Sequence, residues 1–170
     1  MPAFTLTPFA GAAFATAYPA VDVLIEAPRP PFAVGTMGLG SDGTEWVFCI
    51  AGGTIAAKDT VLITPATMTA NAITSTLGRA AVGNWVGVAG AAATVGQFIW
   101  VCRSGYLTGV NVATSAAAFT VMHDSATAGR LTTTTGAGTT AAVVGIVAQA
   151  TAAANVANCF LNRPYVSALD

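Results

Sequence analysis

One run of residues decides the fold class: Glu45-Trp46-Val47-Phe48-Cys49-Ile50, which ends at Gly52-Gly53. Its members are mostly β-branched or aromatic, the residue types that favour strands, and the run has a typical strand length. A pair of glycines interrupts a strand and favours a turn. The run therefore predicts a β-strand that ends just before Gly52.

The same pattern recurs along the chain from residue 34 onward. Further runs of four to seven residues, separated by Gly, Ser, Thr or Asn, cover residues 60–64, 84–89, 97–102, 109–112, 118–122, 142–147 and 158–162. No stretch of twelve residues keeps the 3.6-residue period of a helix with caps. We therefore predict an all-β body, a sandwich or barrel of about eight or more short antiparallel strands.

The first part of the chain has a different composition. Six of the eight prolines lie in residues 1–31, whereas only one of the 18 glycines precedes residue 35. Pro28-Arg29-Pro30-Pro31 favours an extended polyproline conformation. We predict an extended N-terminal arm with a proline-rich spacer over 1–33 and a β-rich domain over 34–170. The alternative is that the arm is a strand and loop folded onto the core of the body.

The arm carries four aromatic residues, Phe4, Phe9, Phe14 and Tyr18, and no charge precedes Asp22. Ordering a chain costs about 1–2 kcal/mol per residue. Burying aromatic side chains offsets that cost. We predict that these four side chains form an intermolecular interface and that the body folds without the arm.

A weak internal duplication is visible in the body. Val47-Phe48-Cys49 before Gly52 matches Trp100-Val101-Cys102 before Gly105, and Val86–Ala89 matches Val144–Val147. Two related β units would explain these matches, and Cys49 and Cys102 would then occupy equivalent inward positions. Chance agreement in a chain rich in Ala and Val is the alternative.

Charge is scarce, with six Lys and Arg against seven Asp and Glu, or 8% of the chain. A free soluble surface usually carries roughly 25–35% charged residues. We infer that Thr and other small polar residues hydrate part of the surface. We also infer that partners, including further copies of the chain, cover another part. The six basic residues are isolated from one another, which argues against nucleic-acid binding.

No group of residues has the pattern of an active site. Gly38–Gly43 fits GxGxxG, but a dinucleotide fingerprint needs a strand before it and a helix after it. Here a predicted strand follows, so the glycines indicate a hairpin turn. The only histidine, His123, precedes Asp124 and Ser125, and this triplet is interpreted as a strand end and turn. We predict no catalytic, cofactor-binding or metal-binding residues and no enzyme activity.

The three cysteines, Cys49, Cys102 and Cys159, are widely spaced and odd in number, which predicts buried free thiols and neither a disulfide framework nor a zinc site. Residues 80–102 and 131–162 lack charge, but Asn, Gln, Thr and Gly interrupt their apolar runs. A helix that spans a membrane needs about 20 mainly apolar residues. No membrane association is predicted.

One segment of the sequence resembles a known protein family more specifically than the patterns above do. Phe119–Thr132 contains Ser125-Ala126-Thr127-Ala128-Gly129-Arg130-Leu131 and resembles a strand-and-turn segment of the capsid decoration, or cement, proteins of tailed bacteriophages. Two other pieces look similar: Ser41–Val47 leading to Ala51–Asp59, and Val86–Ala89 followed by Gly96–Val101. The resemblance covers residues 40–165 and does not include the arm.

This resemblance implies a β-rich structural protein without cofactors, often a homotrimer, that binds the major capsid protein. It would lie on the outside of the head in the virion, after synthesis in the host cytoplasm, and would stabilise the capsid lattice. The alternative is a β-rich tail or receptor-binding component of a phage particle.

Overall fold

The computed structural model describes residues 12–20, 32–114, 116–134, 141–150, 152 and 154–168. These residues form ten strands and one helix of six residues, which confirms the all-β prediction. The elements are β1 (Met37–Leu39), β2 (Glu45–Ala51), β3 (Thr60–Thr64), β4 (Thr69–Ala72), α1 (Ser75–Ala80), β5 (Trp85–Ala89), β6 (Phe98–Asn111), β7 (Met122–Asp124), β8 (Leu131–Thr132), β9 (Ala141–Ala148) and β10 (Val156–Ala168). Among the described residues, no helix is long and apolar enough to cross a membrane.

Five strands close into a small barrel. Antiparallel pairs join β2 to β6, β6 to β5, β5 to β3 and β3 to β4. A parallel pair between β4 and β2 closes the ring. The prediction that the strands are antiparallel is therefore wrong for this pair. The parallel pair forms because β4 turns back from β3 and inserts between β3 and β2.

The barrel wall is buried on both of its faces. Its interior holds small and β-branched side chains, among them Val47, Cys49, Val61, Ile63, Ala70, Ala89, Ile99 and Val101. Its exterior carries larger ones, among them Trp46, Phe48, Phe98, Trp100 and Cys102. A strand buried on both faces has a continuous apolar run rather than an alternating one, which explains the unbroken sequence of β2.

The same sheet continues from β6 past the barrel, and this extension packs on the barrel exterior. Both β6, with 14 residues, and β10, with 13, are long strands, and they pair with each other. The order then continues from β10 to β9, β7 and β8. Inward side chains of this sheet join the cluster on the barrel exterior, among them Val110, Met122, Leu131, Val143, Ile146, Cys159 and Leu161. The architecture is therefore one ten-stranded sheet, part of which closes into a barrel while the rest packs against it.

The last strand, β10, contains a proline, Pro164. Between the pairs Leu161↔Ile146 and Tyr165↔Val144, three residues of β10 lie opposite Gly145. This bulge takes up Arg163, whose φ is +46°, and Pro164. A Cβ at Gly145 would lie 2.7 Å from the carbonyl oxygen of Asn162, so the bulge requires glycine there. Bulges are places where a strand tolerates proline.

Two sequence expectations are wrong in the body. The predicted strand over residues 118–122 is a turn at its start, and β7 begins only at Met122. The two cysteine-containing motifs do not occupy equivalent positions. They lie in β2 and β6, which pair with each other in one barrel wall, with Cys49 in the interior cluster and Cys102 in the exterior one. The predicted strands over 109–112 and 158–162 are parts of β6 and β10.

Candidate interaction surfaces

The aromatic arm residues Phe14 and Tyr18 pack on the barrel exterior. We call the patch they cover the aromatic seat, formed by Trp46, Phe48, Phe98 and Trp100. Phe14 stacks on Trp46, with ring centroids 5.0 Å apart and planes 5° apart. The ring of Phe14 also meets Trp100 edge to face at 5.1 Å. Such aromatic pairs add about 0.5–1.5 kcal/mol each to the burial of their surface.

Tyr18 fixes the arm through its backbone. Its N–H donates to the carbonyl of Phe98 at 2.7 Å, and its carbonyl accepts from the N–H of Phe98 at 2.9 Å. The Tyr18 ring meets Phe48 at 5.7 Å and Phe32 at 6.2 Å. The arm thus continues the barrel wall by a single antiparallel bridge.

Two glycines make room for the arm. A Cβ at Gly90 would overlap the carbonyl oxygen of Phe14, and one at Gly38 would lie 3.1 Å from the Phe14 ring. Phe14 and Tyr18 therefore contact the core of their own chain, which is the alternative that the sequence left open. Phe4 and Phe9 lie outside the described residues, and their predicted role in an intermolecular interface stays a prediction.

A second apolar surface is left uncovered by the residues that the structure describes. The outward side chains of β6, β9 and β10, together with those of the turn before β7, form what we call the exposed face. Its large hydrophobic members are Tyr106, Phe119, Val121, Val144, Val156, Phe160 and Tyr165. Phe160 pairs across the strands with Tyr106 on one side and Val147 on the other, and Tyr165 pairs with Val144. These pairs place apolar side chains of three strands on one side of the sheet.

A groove lies at one edge of this face. It has a volume of about 190 Å³ and is lined by residues 119–121 and 143–147. The ladder between β7 and β9 consists of the pairs Met122↔Val143 and His123↔Ala142. Beyond it, the N–H of Phe119 donates to the carbonyl of Ala148. The segment before β7 thus bonds to β9 at Ala148 through Phe119 and pairs with it again at Val143 through Met122, and the groove lies between these two contacts.

An ion pair borders the exposed face at the bulge of β10. Arg163 donates two hydrogen bonds of 3.0 Å to the carboxylate of Glu45, a bidentate pair. These bonds lower the pKa of the Glu45 carboxyl and raise that of Arg163. The buried Arg103 lies over the Trp85 ring at 4.2 Å and donates to the carbonyl of Pro164 at 3.4 Å. Both arginines therefore hold the barrel to the bulge of β10.

The candidate polar residues serve the fold. Gly38–Gly43 joins β1 to β2 in the predicted hairpin, and the Asp42 carboxylate accepts hydrogen bonds from the N–H and hydroxyl of Thr44. Asp124 is buried and accepts from the N–H of Ala141 at 3.0 Å. His123 is also buried, and its Nδ1 has no hydrogen-bond partner. Among the described residues, no three His, Cys, Asp or Glu side chains form a group that could hold a metal.

The three cysteines are buried and free, as predicted. Burial raises the pKa of the Cys49 and Cys102 thiols to about 12 and that of Cys159 to about 11. The thiolate is the reactive form of cysteine. All three thiols are therefore protonated and inert in the folded chain near neutral pH.

This protection predicts a thiol count and a pH dependence. At pH 8, a thiol-specific reagent should label no cysteine in the folded protein and three after denaturation. The unfolded chain releases these protons above pH 9, whereas the folded chain retains them toward pH 11. Stability is therefore unaffected by the thiols below pH 9 and falls above it, by about 1.4 kcal/mol per pH unit for each ionised thiol. Labelling of one thiol at its denatured rate would contradict the burial.

Comparisons of the chain with protein-family models, curated proteins and solved structures find no match.

Proposed function

We propose that this protein is a structural component of a phage particle, which binds the outside of the head and stabilises the lattice of the major capsid protein. The observation that carries the proposal is the exposed face, where large apolar side chains of three strands and an adjoining turn lie together. Large exposed apolar patches are typical of protein-interaction sites. The resemblance over residues 40–165 supplies the phage head as the assembly.

The scarcity of charged residues supports the proposal that the protein is a subunit of a larger assembly. With 13 charged residues in 170, the surface has few of the groups that keep a free protein soluble. Contacts with neighbours remove apolar surface from water and so reduce that need. The proposed partners are the major capsid protein and further copies of the chain, as a homotrimer, without nucleic acid or membrane.

The polar chemistry on the described residues also fits a structural role. The Asp59 carboxylate accepts hydrogen bonds from the N–H of Ala56 at 2.8 Å and from the Asn111 amide at 2.9 Å. Asp59 and Asp124 thereby join loops to strands in the interior of the fold. Neither carboxylate lies in the groove of the exposed face, whose lining is apolar apart from Thr120 and backbone. We therefore propose binding through surface contact rather than catalysis.

The test uses phage heads assembled without this protein. Purified protein should sediment with these heads at a saturating ratio and raise the temperature at which they open. Replacing Phe4 and Phe9 together with serine should weaken binding at least tenfold and leave the unfolding midpoint unchanged. The matched control replaces Thr5 and Thr7 with serine in the same segment and should bind normally.

The other outcomes of this experiment separate the alternatives. Binding to tails or to host cells but not to heads would replace the proposal with a tail or receptor-binding role. Binding to none of these particles would overturn it. Normal head binding by the Phe4 and Phe9 variant would retain the decoration role and remove the arm from the interface.

A further inference from the structure

The groove beside β9 has the size of a side-chain site. Its volume is about 190 Å³, and its lining is apolar except for Thr120 and the backbone. Pockets for drug-sized ligands usually measure about 300–1,000 Å³, and the groove is smaller than that range. An apolar cavity of about 150 Å³ accommodates benzene. The groove therefore has room for one aromatic ring.

An aromatic ring of the same chain lies at the rim of this groove. Phe119 is 71% exposed, the largest exposed fraction among the described large hydrophobic residues. Its φ of +55° is a conformation that bulky residues rarely adopt. The turn is held by the bond from the Phe119 N–H to Ala148 and by the Thr120 hydroxyl, which donates to the carbonyl of Ala117 at 2.9 Å. The fold thus holds Phe119 at the surface in a costly backbone conformation.

The area of the exposed face matches what a protein partner needs. An aromatic side chain carries about 150–250 Å² of surface, so the four aromatics and three valines of the face expose roughly 600 Å². A stable interface buries about 800 Å² on each partner. The Thr and Asn residues between the apolar ones supply the remainder.

The charges of the face permit a second copy as that partner. No acidic side chain lies among the residues that line the groove or form the apolar rows. The Arg163 side chain at the margin is already paired with Glu45. Two copies therefore meet through this face without burying like charges against each other, which would be costly.

We propose that the exposed face is the contact between copies of this chain, in which Phe119 of one copy enters the groove of another. The inference rests on the self-association in the proposed function and names its surface. Because a ring and a groove adjoin on one patch, every copy gives one Phe119 and receives one. That exchange closes as a two-fold pair or as a three-fold ring.

The experiment measures association of the full chain by sedimentation equilibrium from 1 to 100 μM. Phe119→Gly removes the ring and suits the positive φ, so it should weaken association at least tenfold without lowering the denaturation midpoint. Val121→Asp places a charge at the groove and should weaken association similarly. The matched control is Val95→Asp, because Val121 and Val95 are 58% and 68% exposed and Val95 lies in the loop before β6, next to Gly96, whose N–H donates to the carbonyl of Ala51 in the barrel.

Three results would overturn the inference: a wild-type chain that is monomeric throughout this range, association by Phe119→Gly equal to that of the wild type, or equal weakening by Val121→Asp and Val95→Asp. A dimer or a trimer that both face variants dissociate supports it. Head binding is measured separately. Loss of head binding with intact self-association would count against the proposed function and leave the interface standing.

Discussion

Replacing Phe14 with alanine is expected to lower the free energy of unfolding by about 2–3 kcal/mol, below the range for fully buried phenylalanines because Phe14 is only partly buried. The variant loses the stacking on Trp46 and the edge contact with Trp100. It also leaves a cavity above the aromatic seat. Chemical denaturation followed by tryptophan fluorescence measures the effect, because both of these tryptophans lie in the seat.

A second variant separates the loss of the ring from the loss of the arm. Gly90→Val places side-chain atoms where the Phe14 carbonyl now lies, so it should displace the arm while Phe14 is intact. Faster hydrogen exchange at the Phe98 amide, which donates to Tyr18, would report that displacement. The matched control, Phe160→Ala on the exposed face, should change monomer stability by less than about 1 kcal/mol. An unchanged denaturation midpoint for Phe14→Ala would show that the arm adds nothing to the core.

These contacts also change what deletion of residues 1–27 is expected to do. From the sequence, the body was expected to fold without the arm. In the structure, the deletion uncovers the aromatic seat, so we expect a less stable chain that binds hydrophobic dyes. The aromatic spacing in the arm indicates that it is buried, but it carries no information about the surface that receives it. Gly38 and Gly90 mark the receiving surface because they leave space for Phe14. Their position against the arm is known only from the folded barrel.

The strands with continuous apolar runs could be predicted from their composition. The unbroken run of β2 and the aromatic run at the start of β6 are apolar on both faces, and the predicted strands 45–50 and 97–102 are confirmed. Their arrangement could not be predicted. Closure of the barrel depends on the parallel pair of Ile50 with Thr69 and Ala51 with Ala70, and the polar residues of β4 give little strand signal.

The exposed face was missed for a related physical reason. Residues 118–122 have strand composition, yet the backbone of Phe119 is in a left-handed conformation that composition does not encode. Likewise, Val144 and Phe160 belong to runs that look like core strands. Only the register, which pairs Phe160 with Tyr106 and Val147, shows which side of each strand is uncovered.

Replacing Gly87 with alanine is expected to destabilise the barrel by about 3 kcal/mol, near the upper end of what overpacking costs. Gly87 lies in β5 opposite Val61. A Cβ there would lie 2.5 Å from Cγ1 of Val101 and 2.6 Å from the carbonyl oxygen of Cys102. The valine has room to shift only into a packed interior, and the carbonyl belongs to the backbone of β6. The methyl group therefore forces β5 and β6 apart within the barrel wall.

The matched control is Gly53→Ala, where the nearest atom to the new Cβ is Oδ1 of Asn71 at 3.5 Å, an ordinary contact. Outside a close approach, alanine restricts the unfolded chain more than glycine does, which favours folding by about 0.4–1 kcal/mol. Gly53→Ala should therefore be neutral or slightly stabilising, whereas Gly87→Ala has the opposite sign because the clash exceeds this gain. Thermal and urea unfolding of both variants measure the difference. Equal stability of the two would mean that β5 and β6 have room to separate at Gly87, and that this glycine does not set the width of the barrel.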